Sequence, residues 1–241
     1  MNFNNKPIFG MIHLSGDRST VLNRALEEIE ILEQEGVDGI IVENYHGDVK
    51  DMEKVLGTLN ADGSHKIKVG LNVLPNEFAL AFSMANEYGA EFIQLDYVSG
   101  VYSGFGQQKF ISQNLYDEFR EKYKNIKVLG GVWPKYYQPV NDSILENDIK
   151  IGMERAEAIV VTGEGTGKQT PLDKIKEFRS LMGKHPLIVG AGLKPETVSE
   201  QLSIADGAIV GSCFKPHGVT TQKIERSLVK EFMDEVKNFR I

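Results

Sequence analysis

Two carboxylates, Glu43 and Asp96, directly follow short apolar runs, where a residue chosen for packing alone would be apolar. Two neighbouring carboxylates can act as proton donor and proton acceptor, because burial and mutual repulsion raise the pKa of one of them. His13 and Lys135 follow other apolar runs. We predict acid–base chemistry by Glu43 and Asp96, supported by Lys135 and His13. The alternatives are that the carboxylates cap loops or pair with Lys135, and that His13 satisfies a buried backbone group.

Glycine-containing segments after three successive apolar runs predict a phosphate site. Glycine lets the backbone approach an oxyanion, and amides in such loops, or in a short helix beginning near Ser212, donate hydrogen bonds to phosphate. The predicted phosphate-binding residues are Gly163, Gly190, Ala191, Gly192, Gly211 and Ser212. The alternative is that these glycines only form tight turns.

Other polar and aromatic residues follow the same runs, and we expect them to contact the rest of the ligand. The predicted substrate-binding residues are Asn44, Asn72, Trp133, Thr162 and Thr166. Together with Trp133, three tyrosines, Tyr97, Tyr136 and Tyr137, could form a wall on which a ring stacks, although packing elsewhere is the commoner use of such side chains. The alternative for the polar residues is helix capping.

Two glycine-rich segments look like nucleotide-binding loops without matching them. In residues 163–168 the first glycine is one residue too close to Gly167 and Lys168, and Gln169 replaces the required Ser or Thr. We interpret that segment as a source of donors or a mobile cover over a substrate. Residues 100–106 lack the dinucleotide spacing and are predicted to form a flexible loop.

Composition excludes several other classes of function. The chain has 34 Asp and Glu against 27 Lys and Arg, a net charge of -7, which argues against a nucleic-acid partner. No apolar stretch is long enough to span a membrane, and the single cysteine, Cys213, excludes an intrachain disulfide. We predict a cytoplasmic protein with Cys213 as a small buried side chain.

A metal held by His13, Glu43 and Asp96 is a further hypothesis, but no closely spaced histidine pair supports it. We therefore predict neither a metal nor a redox cofactor. The expected partner is a phosphorylated small molecule. The sequence does not decide whether the chain forms a homo-oligomer.

The elements that position these residues are short apolar runs alternating with amphipathic segments. The predicted strands are residues 8–12, 39–42, 67–73, 92–95, 126–129, 158–161, 187–189 and 208–210. The predicted helices are residues 21–34, 49–59, 78–88, 115–123, 142–152, 171–182 and 224–239. Eight strand–helix units of about 30 residues, with no linker between them, predict a single-domain (β/α)8 TIM barrel over residues 1–241. Barrel enzymes place their sites at the carboxyl ends of the strands.

Five motifs, taken together, resemble the BtpA family, the membrane complex or photosystem I biogenesis proteins. They are Gly-Met-Ile-His-Leu at 10–14, Gly-Val-Asp-Gly-Ile-Ile-Val-Glu-Asn at 36–44, Gly-Leu-Asn-Val-Leu at 70–74, Val-Thr-Gly at 161–163 with Thr-Gly at 166–167, and Ala-Asp-Gly-Ala-Ile-Val-Gly at 205–211. The resemblance implies a barrel similar to ribulose-phosphate-binding barrels. This sequence departs from the family pattern at Pro75, Asp96 and Tyr136, and it lacks a Pro-Leu-Pro-Gly stretch after Leu14.

These observations predict a barrel that binds a sugar phosphate or nucleotide-like metabolite and acts on it as a cofactor-independent isomerase, lyase or hydrolase. The alternative function is a non-catalytic assembly or regulatory factor of the BtpA type that keeps the ligand-binding barrel.

Overall fold

The strands at the centre of the molecule close into a parallel barrel in the computed structural model, which describes residues 1–104, 107–140 and 143–240. In chain order the strands are β1 (Ile8–Ile12), β2 (Gly39–Glu43), β3 (Lys68–Asn72), β4 (Phe92–Leu95), β5 (Tyr102–Gly104), β6 (Gln107–Lys109), β7 (Lys127–Gly131), β8 (Gln138–Pro139), β9 (Ala158–Val161), β10 (Leu187–Gly190) and β11 (Gly207–Val210). The order around the barrel is β1, β2, β3, β4, β7, β9, β10, β11, and β11 pairs with β1. The predicted TIM-barrel fold is confirmed.

The barrel strands are apolar along their length because both of their faces are buried. Within β1, Ile8 and Ile12 pack outward in the layer between strands and helices, whereas Phe9 and Met11 point into the barrel. This alternation follows from the two-residue period of a strand. The barrel interior is filled by Phe9, Met11, Ile41, Phe92, Leu129, Ala158, Val160, Ile188 and Ile209.

The helices surround the strands and follow them in the predicted alternation. They are α1 (Val21–Gln34), α2 (Val49–Asp62), α3 (Phe78–Tyr88), α4 (Gln113–Lys122), α5 (Leu145–Arg155), α6 (Leu172–Met182), α7 (Pro195–Leu202) and α8 (Arg226–Arg240). Helix α2 begins at a capping box between Asp48 and Asp51 and continues to Asp62, three residues past the predicted end. The sequence analysis gave no separate range for helix α7. Residue 142, the predicted start of α5, lies outside the described residues.

A small antiparallel sheet lies outside the barrel, built from loops that follow β4 and β7. Strand β5 pairs with both β6 and β8. The prediction of a flexible loop at residues 100–106 is therefore wrong for 102–104, and residues 105 and 106 lie outside the described part of the chain. Strand β5 has only three residues, and β8 pairs with it from about 35 residues further along the chain, so the local sequence did not indicate the sheet.

Candidate functional site

A cavity of about 530 Å³ opens at the carboxyl ends of the barrel strands. Each barrel strand contributes at least one residue to its wall, either from its last positions or from the loop that follows. The predicted site residues in this wall are His13, Glu43, Asp96, Lys135, Thr162, Thr166, Gly190, Ala191, Gly192, Gly211 and Ser212. The structure therefore brings together all the predicted acid–base residues and most of the predicted phosphate-binding residues.

Glu43 and Asp96 are joined by an asparagine on the strand between them. Asn72 Nδ2 donates to Glu43 Oε1 at 2.8 Å and lies 3.4 Å from Asp96 Oδ1. Tyr137 Oη donates to the other oxygen of Asp96 at 3.2 Å. Asn72 is fully buried and does not line the cavity, so it contacts the two carboxylates on the side that faces away from the cavity. Its Oδ1 has no hydrogen-bond partner among the described residues.

The environment of this pair favours a proton on at least one carboxyl group. Burial raises the pKa of Glu43 to about 7, with Asp96 adding to the rise and Lys135 opposing it. Burial also raises the pKa of Asp96, against the hydrogen bond from Asn72 and the charge of Lys135. A carboxyl group with a pKa near 7 can donate or accept a proton at neutral pH.

His13 is buried beside Glu43, with its Nε2 4.0 Å from Glu43 Oε2 and only 4% of its surface exposed. Burial holds the pKa of His13 well below its usual range, and the nearby Lys215 and Lys135 lower it further. The ring is therefore neutral at pH 7. Its Nδ1 has no partner in the described chain.

Thr166 connects three loops above the cavity. Its Oγ1 accepts a hydrogen bond from Lys135 Nζ at 2.9 Å and lies 3.3 Å from Tyr45 Oη, while its amide donates to Tyr136 Oη at 2.8 Å. Lys135 is also fixed through its backbone, whose amide donates to Thr162 Oγ1. An ammonium group has three donors, so Lys135 can contact an anion in the cavity without leaving Thr166.

The opposite wall consists of backbone from the loops after β10 and β11. Within the described part of the chain, the amides of Ala191, Gly192, Gly211 and Ser212 donate no hydrogen bond. Ala191 has a φ of 68°, a left-handed conformation that is unfavourable for a residue with a Cβ atom. A short 3-10 helix, Ser212–Phe214, begins where the sequence predicted a short helix.

Gly192 has a packing role that the sequence did not indicate. Its φ is 65°, and a Cβ atom there would lie 2.2 Å from the backbone nitrogen of Gln169. The loop after β10 therefore packs directly on the loop after β9. A larger residue at this position would separate the two loops, whether or not a ligand is bound.

Four predicted residues lie away from the cavity wall, among them Asn72. Asn44 binds the backbone of Leu74 through both amide atoms and so supports the loop after β3. Trp133 Nε1 donates to Asp148 Oδ2 at 2.8 Å, on the helix side of the barrel. Gly163 packs against residues 168–170.

Several residues of the cavity wall were not among the predicted site residues. Tyr45 lies two positions after Glu43, and Gln94 lies two positions before Asp96. The two-residue period of strands, extended from the predicted carboxylates, would have found both. Tyr136 and Tyr137 line the cavity, as a stacking wall requires, whereas Tyr97 is buried outside it.

Three further observations concern metal binding, the single cysteine and membrane-spanning helices. Among the described residues, no three His, Cys, Asp or Glu side chains are grouped so that they could bind a metal ion. Cys213 is half-buried rather than buried as predicted, and this partial burial raises its pKa to about 11, which disfavours the thiolate. No helix in the described ranges is long and apolar enough to cross a membrane.

Comparison with solved structures supports the fold. The chain is similar to N-(5'-phosphoribosyl)anthranilate isomerase from Pyrococcus furiosus, with a TM-score of 0.61 over 97% of this chain and 99% of that chain. The sequence identity is 18%, so the likeness concerns the fold alone.

Comparison with known sequences identifies the family. The chain is 30% identical to an uncharacterised protein of Thermococcus kodakarensis, over all of this chain and 98% of that protein. It is 28% identical to the photosystem I biogenesis protein BtpA of Synechocystis sp., over 95% of this chain and 87% of that protein. The model of the BtpA family matches residues 4–238, and the chain therefore belongs to the BtpA family.

Proposed function

We propose that this protein binds a small phosphorylated metabolite in the barrel cavity and performs acid–base chemistry on it. The observation that carries the proposal is the division of the cavity into two unlike walls. One wall has the paired carboxyls Glu43 and Asp96, and the other has backbone amides without partners in the described chain.

The barrel order places the loop after β10 opposite the carboxylate wall, whereas β11 is only two strands from β2, with β1 between them. Asn72, which joins the two carboxylates, is on β3, and β3 lies four strands from β10 in either direction around the barrel. A phosphate bound at residues 190–192 and 211–212 would therefore hold the rest of the molecule across the cavity, toward Glu43 and Asp96. The loops after the last two strands are the usual phosphate site of TIM barrels, and bound phosphate fixes the distance to the reacting atoms.

We assign Glu43 as the group that carries the transferable proton, because its pKa is raised to about 7. Asp96 is its partner, and Lys135 stabilises negative charge on the ligand. His13, which is neutral, lies with its Nε2 4.0 Å from Glu43 Oε2 and can exchange a proton with that carboxyl group. Isomerisation, aldol-type cleavage and hydrolysis are all compatible with this set of groups.

A non-catalytic role is the second candidate, favoured by one comparison: a relative with 28% identity is named a photosystem I biogenesis protein. Such a factor would bind the same ligand and leave it unchanged. Turnover is what separates the two candidates.

Binding can be tested without knowing the metabolite, by titrating the ¹⁵N-labelled protein with inorganic phosphate and recording amide NMR shifts. We expect saturable shifts at Ala191, Gly192, Gly211 and Ser212, because these amides are free to bind an oxyanion. Sodium chloride at equal ionic strength is the control. Shifts confined to exposed lysines, or none at the two loops, would disprove the phosphate site.

Turnover can then be sought by NMR in a panel of aldose phosphates, ketose phosphates and nucleotides. Conversion of any member supports the enzyme. A member that binds at the two loops but never changes supports the non-catalytic factor.

A further inference from the structure

The deepest part of the barrel cavity is a floor that lies below the proposed site. Its residues line the cavity, and each stands two positions before a predicted site residue that directly follows the same strand. They are Met11, Gln94, Val160 and Ile209. Because a strand rises about 3.3 Å per residue and its side chains alternate, these four point inward about 6.6 Å deeper than the site residues.

Gln94 is the polar member of this floor. The other three residues are apolar and belong to the barrel interior. Gln94 points the same way, because Phe92, two positions earlier on β4, lies in the interior, whereas Ile93 and Leu95 pack outward. Gln94 is only partly buried, and the exposed part of an inward side chain that lines the cavity faces that cavity. The floor is therefore apolar except for one amide group.

The amide group of Gln94 has no partner in the described part of the chain. Its Oε1 is buried without a hydrogen bond, and its Nε2 forms none with any described residue. A buried polar atom without a hydrogen bond lowers the free energy of unfolding, whereas an apolar side chain of similar shape does not. Packing alone therefore does not account for a glutamine at this position. The last torsion of a glutamine is broad, so the amide can turn its oxygen or its nitrogen toward the cavity.

We propose that Gln94 binds a hydroxyl group at the end of the ligand remote from the phosphate, so that the ligand is a sugar phosphate with a free terminal hydroxyl. This inference rests on the proposed phosphate site. A hydroxyl group both donates and accepts hydrogen bonds, so it can satisfy the amide in either orientation. The interior of an eight-stranded barrel is only wide enough for side chains, so a slender chain end fits the floor better than a nucleobase.

The position of Gln94 gives each part of such a ligand a separate place. The phosphate binds the loops after β10 and β11, the reacting carbons lie beside Glu43 and Asp96, and the terminal hydroxyl reaches Gln94. Gln94 and Asp96 point inward from neighbouring positions of one strand face, so the hydroxyl is close to the reacting carbons. Gln94 thus selects the ligand, whereas the carboxyl groups transfer the proton.

Matched pairs of ligands test the terminal hydroxyl. Dihydroxyacetone phosphate, xylulose 5-phosphate and fructose 6-phosphate each have a hydroxyl on the carbon farthest from the phosphate, and the second member of each pair is the analogue without it. Isothermal titration calorimetry gives the affinities, and kcat/KM replaces them for any ketose phosphate that is turned over. We expect the hydroxyl member of at least one pair to bind about tenfold more tightly, because its loss leaves the Gln94 amide unpaired.

Substitution of Gln94 tests whether this amide reads the hydroxyl. Gln94→Met keeps the length of the side chain, and it should reduce the difference within the pair to about twofold or less. Affinity for orthophosphate and for the analogue without the hydroxyl should stay within about twofold of the wild type. The Tm of the unligated protein should rise by about 2 °C or more, because an unpaired amide is removed from the interior.

Gln94→Leu is a second apolar variant and should behave in the same way. Gln108→Met is the matched control, since Gln108 is exposed on β6, and it should change none of these quantities. A fall in Tm together with weaker binding of every ligand in both Gln94 variants would show that Gln94 supports the barrel and would overturn the inference.

The binding data also separate this inference from the proposed function. Equal affinities within every pair, or a preference that survives both Gln94 substitutions, would overturn the inference and leave the phosphate site intact. If neither orthophosphate nor any ketose phosphate shifts the amides after β10 and β11, the proposed function fails as well. A preference for the hydroxyl that is lost in the Gln94 variants, with orthophosphate affinity retained, supports the inference.

Discussion

The two walls of the barrel cavity differ in the kind of atom that they present. The carboxylate wall, formed by β2, β3 and β4, is a network of side chains in which Asn72 joins Glu43 to Asp96. The glycine wall, formed by the loops after β10 and β11, presents backbone amides. The charge and hydrogen bonding of a side-chain network depend on pH and on the identity of each residue. A backbone wall depends on how closely the loops can pack, so the two walls should respond to different substitutions.

The largest expected effect is on turnover by the carboxylate wall. With a substrate from the NMR panel, Glu43→Gln and Asp96→Asn should each lower kcat by about a hundredfold or more, because each removes a positioned acid or base. Phosphate affinity at the opposite wall should change by less than about twofold. Steady-state kinetics and phosphate titration of the same samples measure both quantities.

Glu118→Gln is the control for this comparison, since Glu118 is exposed on α4 and far from the cavity. Wild-type kcat in both carboxylate variants would show that the assignment is wrong. If thermal stability alone fell, the two carboxyl groups would be structural.

The next effect is the pH dependence that Glu43 gives to the free energy of unfolding. The pKa of Glu43 is about 7 in the folded chain, against 4.5 for an ordinary glutamate. Between these values the folded state binds more protons than the unfolded state, so the free energy of unfolding falls as pH rises. The buried charge above pH 7 costs about 3 kcal/mol. Glu43→Gln removes this cost, so it should gain stability over the wild type as pH rises from 4 to 8.

Urea unfolding of both proteins at a series of pH values tests this expectation. Asp96 and every other group contribute to both curves, so the difference between the curves isolates Glu43 and its coupling to neighbours. Glu118→Gln should give a flat difference. A flat difference for Glu43→Gln would mean that Glu43 ionises without a burial cost.

Single methyl groups on the glycine wall should have graded effects on stability, from one as large as that of Glu43 ionisation to almost none. Gly192→Ala should lower the free energy of unfolding by about 3 kcal/mol, because its Cβ would lie 2.2 Å from the backbone of Gln169 at a φ of 65°. Gly211→Ala should cost about 1 to 2 kcal/mol, because its Cβ would lie 2.9 Å from the His13 ring. Gly165→Ala, whose nearest neighbour would be 3.5 Å away, should change stability by less than about 0.5 kcal/mol.

Urea unfolding of these three variants ranks their losses in the free energy of unfolding. Equal costs would show that the loops move apart freely and that the glycine wall is not packed as described. A loss of phosphate affinity in Gly211→Ala with little loss of stability would show that the added methyl group crowds the bound phosphate directly.

The fold was predictable because its signal is local and repeated. Strands β1, β4 and β9 and helices α1 and α3 have the predicted boundaries, since strands buried on both faces must be continuously apolar and helices on their surface must be amphipathic. The small sheet of β5, β6 and β8 was missed because its strands are only two or three residues long and because β8 pairs with β5 from a distant loop. That residues 1–241 form a single domain stays a prediction.

The residues that form the site were only partly predictable. The position after each strand identifies His13, Glu43 and Asp96, because the carboxyl ends of the barrel strands meet at one face. The same rule also selected Trp133 and Asn44, which the structure turns toward Asp148 and Leu74. Sequence position gives the level in the barrel, whereas the backbone conformation after the strand decides the direction. Trp133, for example, has a φ of 48°.

The sequence by itself determined the repeat of strands and helices, the level at which polar residues gather and the family. Only the tertiary structure decided that Asn72 joins the two carboxylates, that Thr166 connects three loops and that Gly192 packs against Gln169. These contacts join segments that lie 20 to 30 residues apart in the chain or more, and the pKa of Glu43 depends on the burial that they produce together. Periodicity and spacing report local conformation, but burial and hydrogen-bond partners are set when the barrel closes.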